Sequence, residues 1–260
     1  LFASAAMILM PKFDAAIILA FLNSATVMMG VPTFYVRLLE RPELTKACAE
    51  KMRLFISGSA PLLAETHRAW QVRTGHVILE RYGMTETNMI TSNPYCGERR
   101  PGSVGFPLSD VAVRITEPET GRALARNAIG MIEVKGPNVF TGYWRMPEKT
   151  AEEFTADGWF KTGDVGMQDA RGYFSIVGRS KDLIISGGYN VYPAEVEGFL
   201  NELPGVAESA VVGVPHPDFG EAVIALVVAR PGQTPEPAAL IAALKARIAN
   251  FKVPQQLFVV

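Results

Sequence analysis

The chain has 260 residues, of which 48% are hydrophobic and 20% charged, and its formal net charge is -1. These values are ordinary for globular proteins, and the length suffices for one or two domains. The charge balance excludes the basic excess that nucleic-acid binding requires, so no nucleic-acid partner is expected. Two cysteines, Cys48 and Cys96, are too few for a disulfide scaffold, which predicts a cytoplasmic protein.

Residues 1–30 are rich in apolar side chains, but they are interrupted below the roughly 20 uninterrupted residues that a membrane span needs. The interruptions are Pro11, Lys12, Asp14 and Asn23. No basic leader precedes the run, so neither a membrane anchor nor a signal peptide is predicted. Because the chain opens on Leu1 without Met and closes on the apolar Val260, we interpret it as the interior of a longer polypeptide.

Residues 1–93 are predicted to form α/β structure around a mostly parallel sheet, because short apolar runs alternate with helical periodicity. Residues 53–57 and 77–79 are predicted as strands, and a helix that carries Leu62, Leu63 and Trp70 is predicted between them. Residues 80–87 follow the second strand directly. They would then lie at the carboxyl end of a strand, where open α/β sheets bind ligands.

The remaining sequence predicts two further parts. Residues 94–180 contain many Pro and Gly between short strands, which predicts a mainly β subdomain with one surface helix at 146–154. Residues 181–260 are predicted to be a compact α+β domain. Its predicted elements are strands at 183–186, 207–214 and 222–229, helices from Pro193 and over 235–250, and a last strand.

The most informative segment is Glu80-Arg81-Tyr82-Gly83-Met84-Thr85-Glu86-Thr87. The ring of Tyr82 would lie beside a purine, and Gly83 would let the backbone approach the nucleotide closely. Thr85 offers a hydroxyl to a phosphate, and Glu86 offers a hard oxygen to Mg²⁺. The alternative is structural, namely a core aromatic at a tight turn and a helix cap followed by an acid.

A second segment, residues 158–164, reads Gly-Trp-Phe-Lys-Thr-Gly-Asp. The carboxylate of Asp164 can accept hydrogen bonds from both hydroxyls of a ribose, although a turn aspartate is the alternative. Arg179 could add a cationic fork near the same ribose or phosphate. Its alternative is a solvated charge cluster with Lys181 and Asp182.

These segments, taken in order with residues 178–190 and 192–197, resemble the adenylate-forming superfamily of acyl-CoA synthetases, firefly luciferases and peptide-synthetase adenylation domains. The resemblance implies an α/β fold, in which part of a large adenylate-forming domain precedes a smaller, truncated α+β C-terminal domain. It also implies a two-step reaction. A carboxylate attacks the α-phosphorus of ATP to give an acyl-adenylate and pyrophosphate, and the thiol of coenzyme A then displaces AMP.

The resemblance further implies a role for each residue of the three segments. Thr85 would hold the α-phosphate, Glu86 would bind Mg²⁺, and Lys181 would be the hinge about which the C-terminal domain rotates. The nucleotide site would comprise Ser59, Ala60, Tyr82, Gly83, Thr85, Asp164 and Arg179. Gly187 and Gly188 would line a tunnel for the pantetheine arm of coenzyme A, and their alternative is a simple glycine turn.

The acyl pocket departs from that of the fatty-acid members, because Arg37 and Arg81 are expected near its wall. A buried arginine needs a counter-charge, and the far carboxylate of a dicarboxylic acid would supply it in a bidentate pair. Together with residues 84–95 and 138–147, this resembles the malonyl-CoA synthetases, and implies that Arg37, Arg81 and Ser59 read malonate or methylmalonate. Alternatively, Arg37 is a surface helix residue paired with Glu40.

Two family segments are missing from these 260 residues, namely the phosphate loop upstream and the lysine expected shortly after Val260. We therefore expect the 260-residue chain to be inactive in adenylation by itself. Three alternatives stay open for the protein: a ligase for short-chain or aryl acids, an adenylation domain that serves a carrier protein, and a non-catalytic nucleotide-binding module. The three histidines, His67, His76 and His216, receive no role.

Overall fold

The computed structural model describes residues 5–260, which form three sheets. The first sheet has five strands in sequence order: β1 (Val27–Gly30), β2 (Leu54–Ser57), β3 (Leu79–Met84), β4 (Asn88–Ser92) and β5 (Phe106–Pro107). Strands β1 to β3 are parallel, whereas β3, β4 and β5 are antiparallel. The predicted parallel sheet therefore ends at β3, and the first four residues of its predicted span lie outside the described residues.

Three helices accompany the first sheet: α1 (Ala15–Leu22), α2 (Pro32–Leu39) and α3 (Ala64–Thr74). Their core centres on Trp70, which is fully buried, with its ring centroid 4.9 Å from those of Tyr35 and Phe55. The prediction that this helix carries Leu62 and Leu63 is wrong, because α3 begins at Ala64. Leu62 is buried ahead of the helix, and Leu63 has extended backbone angles at the N-cap.

Strand β3 differs from the prediction, because the segment that was expected to follow a strand forms the strand itself. Residues 77–78 lie outside it, and residues 81–84 continue it by pairing with β4. At Gly83 the two strands approach so closely that a Cβ would lie 2.1 Å from the carbonyl oxygen of Asn88. The glycine is thus required by strand pairing, whatever binds nearby.

The second sheet is antiparallel and confirms the predicted β subdomain. Its strands, in order, are β6 (Ala112–Thr116), β7 (Ile129–Lys135), β8 (Phe160–Gln168) and β9 (Phe174–Arg179). The predicted surface helix is α4 (Pro147–Glu153), with Pro147 in its first turn. A backbone hydrogen bond joins this sheet to the segment just before β5, since Val104 N–H donates to the carbonyl of Phe174 at 2.9 Å.

The third sheet confirms the predicted α+β part. Its elements are β10 (Ile184–Ser186), β11 (Tyr189–Val191), α5 (Pro193–Asn201), β12 (Val206–His216), β13 (Gly220–Ala229), α6 (Pro237–Lys245) and β14 (Gln256–Val259). Helix α6 ends at Lys245 rather than at 250, because the chain turns back to bury Val253 and Leu257. The domain boundaries after residues 93 and 180 stay predictions. Within residues 5–260 no helix has both the length and the apolar character needed to cross a bilayer.

Candidate functional site: a cleft between the first sheet and helix α5

A cavity of about 460 Å³ opens between the ends of β2 and β3, the strands β8 and β9, and helix α5. The cavity is lined by seven of the residues that were predicted from the sequence to bind nucleotide or substrate: Ser59, Ala60, Arg81, Tyr82, Gly83, Asp164 and Arg179. The remaining ones, Arg37, Thr85, Glu86, Lys181, Gly187 and Gly188, do not line it. A cavity of this volume is in the range of pockets that hold small-molecule ligands.

The centre of the site is a hydrogen-bonded group of Tyr82, Asp164 and Arg179. The hydroxyl of Tyr82 donates to Oδ2 of Asp164 at 2.5 Å, and Nε of Arg179 lies 3.0 Å from Oδ1. Asp164 and Arg179 are directly opposite in the register of β8 and β9, whereas Tyr82 comes from β3 in the first sheet. The two sheets therefore place an aromatic ring, a carboxylate and a guanidinium on one wall.

Burial and neighbouring groups shift the pKa of Asp164 in opposite directions, and this residue is only 4% exposed. Burial raises the pKa of its carboxyl above the ordinary value, while the hydrogen bond from Tyr82 and the charge of Arg179 lower it, and the net direction is upward. Burial and the neighbouring carboxylate also raise the pKa of Tyr82. The phenol thus stays a hydrogen-bond donor at neutral pH.

The turn between β2 and α3 holds a strained residue beside the cavity. Ser59 has φ +70°, in the left-handed region that non-glycine residues rarely adopt. Such a conformation costs on the order of 1–3 kcal/mol and is concentrated at functional sites. Ser59 and Ala60 line the cavity from this turn.

Arg81 is a cation of the cavity wall that has no acidic partner among the described residues. Its Nη2 lies 3.8 Å from the sulfur of Met29, and its side chain runs along Gly58. A Cβ at Gly58 would lie 3.3 Å from the carbonyl oxygen of Arg81, so the glycine eases a close approach of the backbone at this point. By contrast, the neighbouring Arg179 is paired with Asp164.

Arg37 lies apart from this wall. It is exposed on α2, where its guanidinium lies 5.5 Å from the ring centroid of Phe13. The alternative pairing with Glu40 does not occur among the residues that the structure describes. Arg37 is also not a lining residue of the cavity, so its proposed contact with substrate needs a movement of the side chain.

The turn between β3 and β4 carries Thr85 and Glu86 beyond the cavity rim. Thr85 is exposed, and Glu86 is half-buried, with its Oε1 accepting a hydrogen bond from the hydroxyl of Tyr143 at 3.0 Å. Burial and this carboxylate raise the pKa of Tyr143. Within residues 5–260 no three acidic, histidine or cysteine side chains cluster to hold a metal. A single carboxylate fits Mg²⁺, since this ion is often bound by one or two carboxylates with phosphates and water.

The residues predicted for domain rotation and coenzyme A lie outside the cavity. Lys181 is in the 3-10 turn that follows β9, where the chain passes from the second sheet to the third. Gly187 and Gly188 form the turn between β10 and β11 with φ +57° and +80°. Their left-handed angles explain two adjacent glycines at this turn.

Sequence reasoning missed two parts of the wall. Helix α5 contributes Ala194, Gly198 and Phe199, although residues 192–197 were interpreted mainly as a helix start. Glu80 also lines the cavity, and its Oε1 lies 2.9 Å from Nδ1 of the fully buried His67. Burial raises the pKa of Glu80, and His67 acts against this shift. Ala194 and Gly198 are four residues apart on α5, and this spacing could have indicated that both lie on one face of the helix. No sequence pattern indicated that His67 would pair with Glu80.

The chain belongs to the AMP-binding enzyme family: the model of that family matches residues 1–144, and the model of the AMP-binding enzyme C-terminal domain matches residues 195–260. The structure superimposes on the crystal structure of ATP-bound MatB from Rhodopseudomonas palustris with a TM-score of 0.97. The identity is 60%, over all of this chain and 52% of that chain. For apo MatB the TM-score is 0.84. The described arrangement is therefore closer to the ATP-bound one.

Two curated relatives represent different acids. A malonate–CoA ligase of Arabidopsis thaliana is 45% identical over 216 residues, covering 80% of this chain and 35% of that protein. A long-chain-fatty-acid–CoA ligase of Bacillus subtilis strain 168 is 41% identical over 252 residues, covering 96% of this chain and 45% of that protein. The chain thus spans half or less of the length of these relatives.

Proposed function

We propose that the protein is an ATP-dependent acid–CoA ligase that converts malonate or methylmalonate to its coenzyme A thioester. The observation that carries this proposal is the unpaired guanidinium of Arg81 in the wall of the cavity, one residue before Tyr82. Arg81 is half-buried, and an anionic ligand in the cavity would supply its guanidinium with a counter-charge. The second carboxylate of a short diacid provides one in bidentate geometry.

The proposed first step forms a bond between a carboxylate oxygen of the acid and the α-phosphorus of ATP, and pyrophosphate leaves. Tyr82 lies beside the adenine, Asp164 accepts hydrogen bonds from the ribose, and Thr85 donates to the α-phosphate. Glu86 would hold Mg²⁺, which neutralises charge on the phosphates. Arg81 fixes the far carboxylate, so that the near one is oriented for attack.

In the proposed second step the sulfur of coenzyme A attacks the acyl carbon, and AMP leaves. The C-terminal part turns about Lys181 and brings Gly187 and Gly188 to the cleft. Support for a movement comes from the different TM-scores to the ATP-bound and apo crystal structures of one relative.

The two separate thiols, Cys48 and Cys96, suit a reducing cytoplasm.

Pyrophosphate release by the full-length protein across a panel of acids tests the proposal. The panel contains malonate, methylmalonate, acetate, butyrate and benzoate, each with ATP, Mg²⁺ and coenzyme A. We expect the two diacids to give the highest kcat/KM. Equal or better use of the monocarboxylates would contradict the proposal.

Arg81→Ala is the matched variant. Truncating one partner of a desolvated charge pair costs about 2–5 kcal/mol, so kcat/KM for malonate should fall by at least about 30-fold. Butyrate should be used as well as before or better, because it has no second carboxylate. Arg68→Ala is the control, since Arg68 is exposed on α3 and does not line the cavity. Full malonate activity in Arg81→Ala would remove Arg81 from substrate recognition.

A second candidate is a ligase for short-chain or aryl monocarboxylic acids, and the similarity to the long-chain-fatty-acid–CoA ligase, a relative named for monocarboxylic acids, favours it over a diacid ligase. In that case the same assay would give its highest kcat/KM with butyrate or benzoate. Transfer of the acyl group to a phosphopantetheinyl protein instead of free coenzyme A would indicate an adenylation domain. AMP binding without turnover by any acid would leave only a nucleotide-binding module.

A further inference from the structure

The turn that carries Thr85 and Glu86 is held by a segment more than fifty residues further along the chain. Asn138 Nδ2 donates to the carbonyl of Thr87 at 2.7 Å. Phe140 N–H donates to the carbonyl of Glu86 at 2.8 Å, and the hydroxyl of Tyr143 donates to Oε1 of the same residue at 3.0 Å. Residues 138–143 thus contact both the backbone of this turn and its carboxylate.

Tyr143 is itself fixed in place. Its N–H donates to Oγ1 of Thr150 at 2.9 Å, and its ring packs edge-on against Phe140, with centroids 4.9 Å apart. Gly142 has φ +148°, and a Cβ there would lie 2.6 Å from Cγ2 of Thr150. The glycine therefore permits a close approach of the backbone to α4, where the hydrogen bond from Tyr143 N–H to Thr150 forms.

The contact leaves half of the carboxylate of Glu86 available. Oε1 is occupied by Tyr143, whereas Oε2 makes no hydrogen bond or ion pair with the described residues. Without an anchor, a half-buried glutamate would sample several rotamers, and ordering it on metal binding would cost conformational entropy. One anchored oxygen orders the side chain in advance.

We propose that Tyr143 is a positioning residue that holds the carboxylate of Glu86 so that Oε2 faces the phosphates and their divalent cation. This inference rests on the proposed function, because that function places MgATP beside Glu86. In this role Tyr143 would act through Glu86 and would itself touch neither metal nor nucleotide. Partners of this kind typically change metal affinity by about 10- to 100-fold when removed.

Manganese binding to the full-length protein tests the inference. Electron paramagnetic resonance measures free Mn²⁺ in titrations with the non-hydrolysable analogue α,β-methylene-ATP. Tyr143→Phe keeps the ring packing and removes only the hydroxyl, so we expect Mn²⁺ affinity to fall by about 10-fold. Affinity for the analogue without metal should not change. Tyr95→Phe is the control, because among the described residues the Tyr95 hydroxyl makes a hydrogen bond only with Arg53, at 3.5 Å, and none with Glu86.

The outcomes separate this inference from the proposed function. If Tyr143→Phe binds Mn²⁺ within twofold of the unmodified protein while that protein makes malonyl-CoA, the positioning role is wrong and the function stands. If Mn²⁺ affinity falls as expected but malonate is not a substrate, the positioning role is supported and the choice of acid is wrong. A comparable loss of Mn²⁺ affinity in Tyr95→Phe would also overturn the inference.

Discussion

At the scale of single residues, Asp164 is a titratable group of the cleft that links nucleotide binding to pH. Its carboxyl is nearly buried and has a raised pKa, with burial as the main cause. A raised pKa in the folded state means that the folded protein holds this proton more tightly than the unfolded chain does. Asp164 therefore contributes stability below its unfolded pKa, and this contribution is lost as pH rises through the folded pKa.

Binding has the opposite pH dependence, because a ribose needs the deprotonated carboxylate as acceptor. We expect adenosine affinity to fall as pH drops, beginning above the ordinary aspartate pKa of about 3.9 and approaching tenfold per pH unit. Calorimetry between about pH 4 and pH 7 measures this, and adenosine is chosen because it has no titrating phosphate. The Asp164→Asn variant separates the titration of Asp164 from that of Glu80 and the other acids of the cleft. If this variant lost adenosine affinity at low pH as the unmodified protein does, the titrating group would be a residue other than Asp164.

The identities of the residues in the cleft were largely predictable, but their contacts were not. Tyr82 and Asp164 both stand in recognisable segments, and the structure places them in one wall. Their mutual hydrogen bond depends on how two sheets meet, which no local pattern encodes. Tyr143 was missed for a similar reason, since its partner Glu86 lies in the turn between β3 and β4, far away along the chain.

At the scale of elements, the pairing of β3 with β4 fixes the geometry of the whole segment 80–87. Gly83 is the point of closest approach, and its backbone angles are not left-handed. A methyl group there would meet main-chain atoms of Asn88 and Met89, which cannot move aside as a flexible side chain can. The hairpin would have to open to accommodate it.

Gly83→Ala should therefore destabilise the fold by at least about 1–3 kcal/mol, the usual cost of overpacking. Urea denaturation gives the change in the free energy of unfolding. Gly178→Ala is the matched control, because Gly178 is also in a strand and a Cβ there would have no neighbour within 4 Å. Equal stability of the two variants would show that β3 and β4 separate easily at Gly83.

Most elements followed from periodicity, and the errors have a common cause. Strand β2 and helices α4 and α5 were predicted within one or two residues, because their burial patterns and their initial prolines are local signals. Strand β3 was misplaced because its polar residues face a cleft instead of a core. Strand β3 forms because it pairs with β4, although its residues, which also line the cleft, do not alternate between hydrophobic and polar.

At the scale of the whole molecule, the cleft exists because α5 faces the end of the first sheet. One ion pair spans the two parts, from Nη2 of Arg230 to Oε1 of Glu65 at 3.1 Å, and its side chains are 44% and 47% exposed. Pairs this exposed contribute about 0.2–1 kcal/mol. The contact can thus favour the described arrangement without preventing the proposed rotation. No sequence pattern predicted it.

A crystal structure of the full-length protein with a stable malonyl-adenylate analogue tests the central claim most directly. We predict that Asp164 accepts hydrogen bonds from the ribose hydroxyls, that the ring of Tyr82 lies beside the same adenine, and that Arg81 forms a bidentate pair with the far carboxylate. Adenosine bound away from Tyr82 and Asp164 would contradict the nucleotide site. A far carboxylate that leaves Arg81 without a partner would contradict the assignment of a diacid.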